Sequence, residues 1–406
     1  AIPAGLRHDP LDEPGVASMV AGLLLDREDR GRAAGFTELG ATLSGKVGES
    51  TLALHCVVTR GDAPAALRLL VDAVRSLPTD AASFERVRSD RIGALETMRG
   101  SPRAVAGLGV ALGTYGVRPP TRAMATGTPA SLRRLSVGRV RQWHASRAEA
   151  RGATFAVAGA ASLQEASQWV NDATARWPGG SGPRAKPAPP VRRTEGPRVV
   201  LIPWPESQQC TVAFGGGRIG GGSADADSES AADAVLTGVI NQELRARKRL
   251  TYGSRTASQS TRFGAVRYNA LTINPYDVAP ALHPLNTFSE WVSSRVAMTT
   301  QDIEGMRRKA VVSLMNRSMG PQLLLRQLLT WADRDEEPPS VAEQIDTIES
   351  LTLAKLEKAL QRLGGRERLQ IAVVGDPETI AHARGIVGSE GVEEHSAGAL
   401  IDDGPS

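Results

Sequence analysis

Residues Leu244–Gly253 read LRARKRLTYG and join the end of a predicted helix to the start of a predicted strand. Arg245 lies near the end of that helix, and Tyr252 follows seven positions later. Arginine is a permanent cation with a planar fork of donors, and a tyrosine hydroxyl can donate to a carbonyl oxygen or an oxyanion. Because neither side chain is a strong nucleophile or base at neutral pH, the pair predicts half of an active site. The other half must then come from elsewhere.

The chain on either side of this stretch is duplicated. Four apolar positions of one predicted helix recur 219 residues later, Phe84, Val87, Ile92 and Leu95 becoming Ile303, Met306, Val311 and Leu314. Pro102 and Pro321 keep the same offset. Three positions of a predicted strand recur 216 residues later, Phe155, Val157 and Gly159 becoming Ile371, Val373 and Gly375. Solenoid repeats recur every ~20–50 residues, so this long period indicates a duplicated α+β domain instead.

A segment rich in proline, glycine and arginine separates the two copies. Residues 179–197 (GGSGPRAKPAPPVRRTEGP) lack apolar periodicity, which is typical of a linker. We therefore predict an N-terminal α+β domain at residues 1–178 and a C-terminal α+β domain at 198–394. Each is expected to have helices covering a mixed or antiparallel sheet. Residues 395–406 are predicted to form a flexible tail.

Composition bounds the function. The 406 residues are 41% hydrophobic and 23% charged, which is typical of a folded globular protein. The net charge of +4 is too small an excess to indicate a nucleic-acid partner. No apolar run reaches the ~18 residues of a membrane span. Cys56 and Cys210 form no CxxC motif, and we interpret His55 and His144 as structural. Localisation stays open, with the cytoplasm favoured.

A glycine pattern after a predicted strand is better explained by local structure than by nucleotide binding. Gly215, Gly217 and Gly220 match GxGxxG. Dinucleotide binding requires a helix that opens at the third glycine and an acid after the next strand. Here the acidic stretch SADADSES intervenes, and its charge would repel a pyrophosphate. We therefore interpret Gly215–Gly222 as a flexible hairpin or loop.

The duplication, the linker and LRARKRLTYG together resemble the insulinase/pitrilysin-like metallopeptidases, the inverzincins, in particular the two-domain branch that includes the mitochondrial processing peptidase. The resemblance implies two homologous α+β domains that form half of a clamshell. It also implies that Arg245 and Tyr252 reach across the clamshell to a substrate peptide. Two residues depart from the family pattern: Ala246 stands where an acid is usual, and Arg249 where a glycine is usual. The second departure could alter the turn between helix and strand.

In this family the first domain carries an HxxEH zinc motif on a helix. The corresponding stretch here, Gly15–Gly22, reads GVASMVAG, so Ser18 and Gly22 replace the histidines and Ala21 replaces the glutamate. A catalytic zinc needs three protein ligands and a base for its water. Glu96 lies where the third ligand is expected, but one carboxylate cannot hold a zinc. The resemblance therefore implies no metal or cofactor in this chain and a zinc ion in a partner subunit.

The family also has two strands before this helix, whereas 14 residues precede Gly15 here. Either residues upstream of Ala1 are missing or this half is trimmed.

The resemblance and the composition lead to three hypotheses on function. The first is a non-catalytic, substrate-gripping subunit of a heterodimeric zinc peptidase. Its HxxEH-bearing partner would supply the zinc. This chain would bind a peptide substrate and neither nucleic acid nor a membrane. The alternative is an inactive scaffold of the same fold. The third, a nucleic-acid-binding protein, rests on the pI of about 9.3 alone.

Overall fold

Helices alternate with two separate sheets, which confirms the predicted α+β class. The computed structural model describes residues 1–406 except 11, 27–29, 117–125, 178, 180–197, 218–240, 252, 262–263, 287–299, 335–336, 338, 365–368 and 402–406. In chain order the helices are α1 (Val16–Leu24), α2 (Arg30–Glu38), α3 (Ala63–Arg75), α4 (Ala81–Arg99), α5 (Pro102–Tyr115), α6 (Pro129–Arg134), α7 (Val137–Ala145), α8 (Leu163–Thr174), α9 (Val278–Asn286), α10 (Thr300–Ser318), α11 (Pro321–Arg334), α12 (Val341–Glu349), α13 (Leu353–Gly364), α14 (Pro377–Val387) and α15 (Ala397–Ile401). The strands are β1 (Ser44–Val47), β2 (Leu52–His55), β3 (Val199–Pro203), β4 (Cys210–Gly217), β5 (Ser254–Thr261), β6 (Gly264–Ile273), β7 (Gln370–Gly375) and β8 (Val392–Glu394).

The duplication seen in the sequence is present in the helices. Helices α4 and α10 both have 19 residues, α5 and α11 both have 14, and the members of each pair start 219 positions apart, at 81 and 300 and at 102 and 321. The sequence predicts helix starts at Asp62, Thr128 and Ser162, because each residue type can cap a helix that follows it. Thr128 and Ser162 each form a capping box with the third helical residue. Asp62 does not cap α3 with its side chain, because its carboxylate instead accepts a hydrogen bond from Thr59 Oγ1 at 2.6 Å.

The chain forms two compact units that exchange equivalent helices. Unit 1 comprises Ala1–Leu95, Met124–Pro189 and Met315–Pro338, and unit 2 comprises Glu96–Ala123, Pro190–Leu314 and Pro339–Ser406. Helix α5, from the first copy, therefore belongs to unit 2, and α11, from the second copy, belongs to unit 1. The predicted domains follow chain order, whereas the compact units do not. Apart from Gly179, the predicted linker lies outside the described residues.

Unit 2 is built on a six-stranded sheet of order β5-β6-β4-β7-β3-β8. Strand β4 runs antiparallel to both β6 and β7, and β3 runs parallel to β7 and β8. Every residue of β7 (QIAVVG) is buried, which is typical of a strand covered by helices on both faces. Helix α5 packs closely on this sheet, since a Cβ added at Gly109 would lie 2.8 Å from the Ala372 Cβ.

The first two glycines of the GxGxxG pattern lie in a strand and not in a loop. Gly215 and Gly217 continue β4, so the predicted hairpin or loop is wrong for Gly215–Gly217, and residues 218–222 lie outside the described part of the chain. A Cβ on Gly215 would lie 2.2 Å from the Arg267 carbonyl oxygen. Glycine at this position therefore allows β4 to pair closely with β6, and it needs no nucleotide to explain it.

Unit 1 has a much smaller sheet, the antiparallel hairpin β1–β2. Ile2 bridges Leu52 through two backbone hydrogen bonds of 2.9 Å. On its other side the chain start contacts Thr154: the Ala1 nitrogen donates to the Thr154 carbonyl at 2.8 Å, and Thr154 N–H donates to the Ala1 carbonyl at 2.9 Å. Residues 1–2 thus lie between β2 and residue 154, as β4 lies between β6 and β7.

Two stretches of this half that predict strands form a shorter strand or none. The apolar and β-branched stretch Ser50–Thr59 (STLALHCVVT) predicts a strand, but only Leu52–His55 forms one, β2. Residues 154–159 do not form the predicted strand, although Phe155 and Val157 repeat the pattern of β7. Among the described residues, Ala1 supplies the backbone hydrogen bonds that Thr154 makes, and 155–158 make none. A strand requires a neighbour along its length, which explains the difference.

The end of the described chain is packed, unlike the predicted flexible tail. His395 N–H donates to the Leu201 carbonyl at 2.9 Å. Helix α15 follows, and its Leu400 and Ile401 are buried. The prediction of a flexible tail is therefore wrong for residues 395–401. Finally, none of the helices in the described ranges combines the length and the apolar character of a membrane span.

Candidate functional site

Arg245 lies on a π-helical segment, Asn241–Arg247, just before the edge strand β5. Its neighbour Leu244 is 1% exposed and packs in the core of unit 2, whereas Arg245 itself is exposed. A buried leucine therefore anchors the segment while the guanidinium stays accessible. Helical segments of this wider type are rare and occur frequently at functional sites.

The turn after this segment keeps a glycine-like backbone. Arg249, which stands where the family pattern has glycine, has φ 55° and is the only non-glycine residue of the described chain with positive φ. Leu250 N–H reaches back to the Leu244 carbonyl at 2.8 Å and closes the turn. The left-handed conformation costs a residue that has a Cβ about 1–2 kcal/mol of conformational energy. Arg249 therefore does not alter the turn, because it adopts the backbone conformation that glycine favours.

Tyr252 lies outside the described residues, so its place relative to Arg245 stays a prediction. The residues on either side of it are described. Thr251 is buried, and its Oγ1 accepts a hydrogen bond from Gly253 N–H at 3.3 Å. Strand β5 then begins at Ser254. The stretch thus connects a helix end to an edge strand, as its sequence predicts.

The predicted zinc helix is α1, and it is buried throughout. Ser18 and Ala21 are at most 2% exposed. A Cβ added at Gly22 would lie 2.4 Å from Val87 Cγ1 and 3.1 Å from the Arg91 guanidinium nitrogens of α4. An imidazole therefore has no room at position 22. Burial lowers the pKa of Arg91, which Asp90 partly offsets.

The remaining residue of the predicted ligand set is not arranged for metal binding. Glu96 is exposed, and its carboxylate lies 3.9 Å from the Arg99 guanidinium one turn along α4. Within the described ranges, no three or more His, Cys, Asp or Glu side chains form a group that could hold a metal ion. Serine, alanine and glycine offer no zinc ligand. The residues at this site do not fit a catalytic zinc.

The surroundings of two histidines and of both cysteines indicate structural and not catalytic roles. His144 is buried, and its Nε2 lies 2.7 Å from the Val74 carbonyl oxygen. His395 Nε2 lies 2.8 Å from a Glu393 carboxylate oxygen. Burial raises the pKa of the Cys210 thiol to about 12 and also raises the pKa of Cys56. Neither thiol is prepared to act as a nucleophile, because the thiolate is the reactive form.

Sequence reasoning missed a cavity of about 420 Å³ in unit 1, next to the end of β2. His55 and Cys56 line it together with Gln322, Leu325 and Arg326 of the exchanged helix α11. Burial lowers the pKa of His55, and the nearby Arg326 cation lowers it further. Sequence patterns could not have found this site, because its walls come from positions more than 260 residues apart in the chain.

Residues 134–304 match the family model described as Peptidase M16 inactive domain. This segment is similar to the M16 peptidases. The match confirms the resemblance to insulinase-like peptidases, and it includes Arg245, Tyr252 and the whole LRARKRLTYG stretch. Together with the unsuitable zinc helix, it identifies a non-catalytic M16-like protein.

Solved structures share the fold over most of the chain. A peptidase M16 inactive domain from Pseudomonas fluorescens has a TM-score of 0.76 at 19% identity and covers 92% of this chain and 91% of its own. A protease from Helicobacter pylori has a TM-score of 0.79 at 12% identity, covering 93% and 92%. A chain in complex III2 from Candida albicans, with Inz-5 bound, has a TM-score of 0.70 at 10% identity, covering 96% and 93%. No curated protein matches the sequence.

Proposed function

We propose that this protein is the substrate-gripping, non-catalytic subunit of a heterodimeric zinc metallopeptidase. A homologous partner that carries HxxEH would supply the zinc, its water and the glutamate base. This chain would supply Arg245 and Tyr252 to the peptide held at that site. The proposal rests mainly on one observation. Helix α1 has no zinc ligand and no space for a histidine at Gly22, which packs on Val87 and Arg91, whereas the LRARKRLTYG stretch is present in the sequence.

The exposure of Arg245 supports the proposal. Its guanidinium is accessible beside the edge strand β5, while buried Leu244 fixes the backbone that carries it. A planar guanidinium can donate two parallel hydrogen bonds to oxygen atoms of a peptide or carboxylate. The retained left-handed turn at Arg249 supports the same interpretation, because strained backbone clusters at functional sites.

The chemical role of each side chain follows from its groups. The Tyr252 hydroxyl would donate a hydrogen bond to the scissile carbonyl oxygen as negative charge develops there, and Arg245 would hold the neighbouring peptide oxygen. Bound zinc in the partner would polarise the carbonyl and activate water. Hydrogen-bond donors of this kind accelerate acyl transfer because they bind the transition state more strongly than the substrate.

Tyr252→Phe and Arg245→Ala test the proposal in the complex with an HxxEH-bearing homologue. We expect each substitution to lower kcat by about 10²–10³ without loss of assembly, because one transition-state donor is removed. Peptide hydrolysis and size-exclusion chromatography measure the two properties separately. Tyr276→Phe, at an exposed tyrosine, and Lys248→Ala, at an exposed cation of the same turn, are the matched controls.

Wild-type turnover in both complexes would show that the shared active site is wrong. If the controls lower turnover as much as the site variants, the effect belongs to the surface in general and not to Arg245 and Tyr252.

The second candidate is an inactive scaffold of the same fold. The likeness to a chain of complex III2 favours it, since a chain of that multi-subunit assembly has this fold along nearly its whole length. A purified complex distinguishes the two candidates. One equivalent of zinc together with peptide hydrolysis favours the gripping subunit, whereas a stable complex without either favours the scaffold.

A further inference from the structure

A basic stretch surrounds Arg245. Residues 244–276 contain seven arginines and lysines but no aspartate or glutamate. The whole chain has 48 Lys and Arg against 44 Asp and Glu, which gives a net charge of +4. This stretch alone therefore carries more positive charge than the whole chain has in excess, and the remaining residues are slightly acidic as a group.

Five consecutive residues of the stretch form a closed and exposed loop. Residues 245–249 read RARKR, and each of them is exposed. Leu250 N–H donates to the Leu244 carbonyl at 2.8 Å, which holds the two ends of the loop together. We call these five residues the basic loop. Like charges that are held this close repel one another, so binding of an anion among them is favoured.

Two arginines of this region have a fixed backbone. Arg249, the last residue of the basic loop, has φ 55°, a conformation that glycine would adopt with less strain. Arg255 is the second residue of β5, where it is exposed and pairs with Ala270 of β6. Six positions of chain separate the two arginines, so their backbones lie at most about 20 Å apart. An extended peptide of about six residues spans the same length.

The described acidic side chains do not neutralise these arginines. Within the ranges that the structure describes, no salt bridge joins Arg245, Arg249 or Arg255 to an aspartate or a glutamate. Other arginines differ, since Arg384 of α14, for example, pairs with Glu394. A guanidinium presents a planar fork of donors that matches the two oxygens of a carboxylate. The three arginines can therefore bind carboxylates of another molecule.

We propose that the basic loop and Arg255 select substrate peptides that carry acidic residues near the scissile bond. The inference rests on the proposed function, because Arg245 belongs both to the basic loop and to the shared active site. Arg245 would hold the peptide close to the cleaved bond. Arg249 and Arg255 would bind aspartate or glutamate side chains within about six residues of that bond.

The distribution of charge favours a peptide over a nucleic acid. A nucleic acid binds through many phosphates and gains from a basic surface that extends along it. Here the residues outside the basic stretch are slightly acidic as a group. A short acidic peptide needs only the few cations of the basic loop and of the start of β5. The substrate class is therefore a peptide with carboxylates on residues beside the cleaved bond.

The first measurement is peptide binding to the full-length protein alone. Two labelled peptides differ only in charge: acetyl-Glu-Ala-Glu-Ala-Leu-Phe-Ala-Glu-Ala-Glu-amide and the same sequence with glutamine in place of glutamate. At about 0.15 M salt the acidic peptide should bind about tenfold more tightly by fluorescence anisotropy, because several exposed ion pairs each add a small factor. At about 1 M salt most of the difference should disappear, because the Debye length falls to about 3 Å.

Arg249→Gly and Arg255→Gln test the two arginines. Arg249→Gly removes the charge and gives the turn the residue that its backbone favours, so a loss of binding does not come from a loss of folding. Each substitution should weaken binding of the acidic peptide by about threefold, and the double variant should bind both peptides equally. Lys248→Ala is the matched control. It removes one charge from the same loop but no guanidinium fork, and it should change the Kd of the acidic peptide by less than about twofold.

Kinetics of the complex with an HxxEH-bearing homologue separate this inference from the proposed function. The acidic peptide should have a KM about tenfold lower than that of the glutamine peptide at a similar kcat. If Tyr252→Phe lowers kcat for the glutamine peptide while both peptides have the same KM, the shared active site stands and the acidic preference is wrong. If the double variant removes the preference but Tyr252→Phe keeps the wild-type kcat, binding of acidic peptides is supported and the shared active site is wrong.

Three results of the binding measurements would overturn the proposal. The first is an equal Kd of the wild-type protein for the two peptides. The second is a preference for the acidic peptide that persists in the double variant, because the anion would then bind elsewhere. The third is a short DNA duplex that binds more tightly than the acidic peptide at the same salt and loses this affinity in the double variant, because the recognised anion would then be phosphate.

Discussion

Residues 154–159 and β7 carry the same sequence pattern but have different structures. Phe155 and Val157 correspond to Ile371 and Val373, yet β7 is completely buried, while 154–158 are half-buried and form no strand. The difference lies in the neighbours, since β7 pairs with β4 and β3, and Thr154 pairs only with Ala1 among the described residues. Apolar alternation is therefore a necessary signal for a strand, and the partner strands decide the outcome.

The helices that follow show the same contrast. Ser162 begins α8 with a capping box, and Asp376 caps α14 by accepting from Thr379 N–H. Local capping thus starts both helices. However, α8 has no buried side chain, and its Leu163 is 84% exposed, whereas α14 buries Ile380 against the six-stranded sheet. The caps determine where a helix starts, and the sheet determines whether its apolar face is buried.

Hydrogen exchange should give the largest difference between these regions. Amides of residues 371–374 are expected to exchange only through global opening, while amides of 155–158 exchange through local fluctuation, at least about 10³-fold faster. Mass spectrometry of peptic fragments that contain each segment measures both rates in one sample. Equal protection of the two segments would contradict the comparison.

A glycine substitution sharpens the contrast within unit 1, whose helix α1 is tightly packed although the sheet described in this unit has two strands. Gly22→Ala should destabilise the fold by about 2–3 kcal/mol, because its Cβ would meet Val87 Cγ1 at 2.4 Å. Gly93→Ala, where no atom lies within 4 Å of an added Cβ, should stabilise α4 by about 0.5–1 kcal/mol. Urea unfolding gives both values. A neutral Gly22→Ala would mean that α1 retains space for a larger side chain.

Matched valine truncations test the burial difference between the equivalent segments. Val373→Ala should lower the free energy of unfolding by about 2 kcal/mol, since Val373 is fully buried. Val157→Ala should lower it by less than about 0.5 kcal/mol, because the side chain is half-exposed. Thermal or urea unfolding of the two variants provides the measurement. Similar losses at both positions would show that residues 154–158 are packed as firmly as β7.

The smallest expected effect concerns pH. Burial, and then Arg326, lower the pKa of His55 in the fold below the ~6.5 of an unfolded chain. The unfolded state therefore binds this proton more readily, so stability is full above about pH 6.5 and falls as the pH drops below it. His55→Gln should flatten this slope in unfolding curves between pH 7 and 5, while His382→Gln, at an exposed histidine of α14, should leave it unchanged. A slope of opposite sign would contradict the assignment.

Much of the fold could be predicted from local signals. The starts of α5 at Pro102, α6 at Thr128 and α8 at Ser162 follow from capping and proline rules. The exchange of α5 and α11 between units could not be predicted, because apolar periodicity shows that a face is buried but not which sheet covers it. The same limit explains why the sequence predicts a loop at Gly215–Gly217, since only the close approach of β6 shows the need for glycine.

The candidate site was predicted in part. The sequence identified α1 as a helix without zinc ligands, and the packing of Gly22 against Arg91 gives the physical reason that none fits. It also placed Arg245 at a helix end. The sequence does not indicate that Arg249 has a left-handed backbone, because arginine, unlike glycine, is not a residue type that signals positive φ.

Zinc binding by the isolated chain tests the central claim most directly. Calorimetric titration of the purified protein with zinc, followed by metal analysis after dialysis and a peptidase assay, should show no stoichiometric uptake and no hydrolysis. Mixing with an HxxEH-bearing homologue should then give about one zinc per complex, together with peptidase activity. Uptake of one equivalent of zinc by this chain alone, with hydrolysis of peptides, would contradict the account.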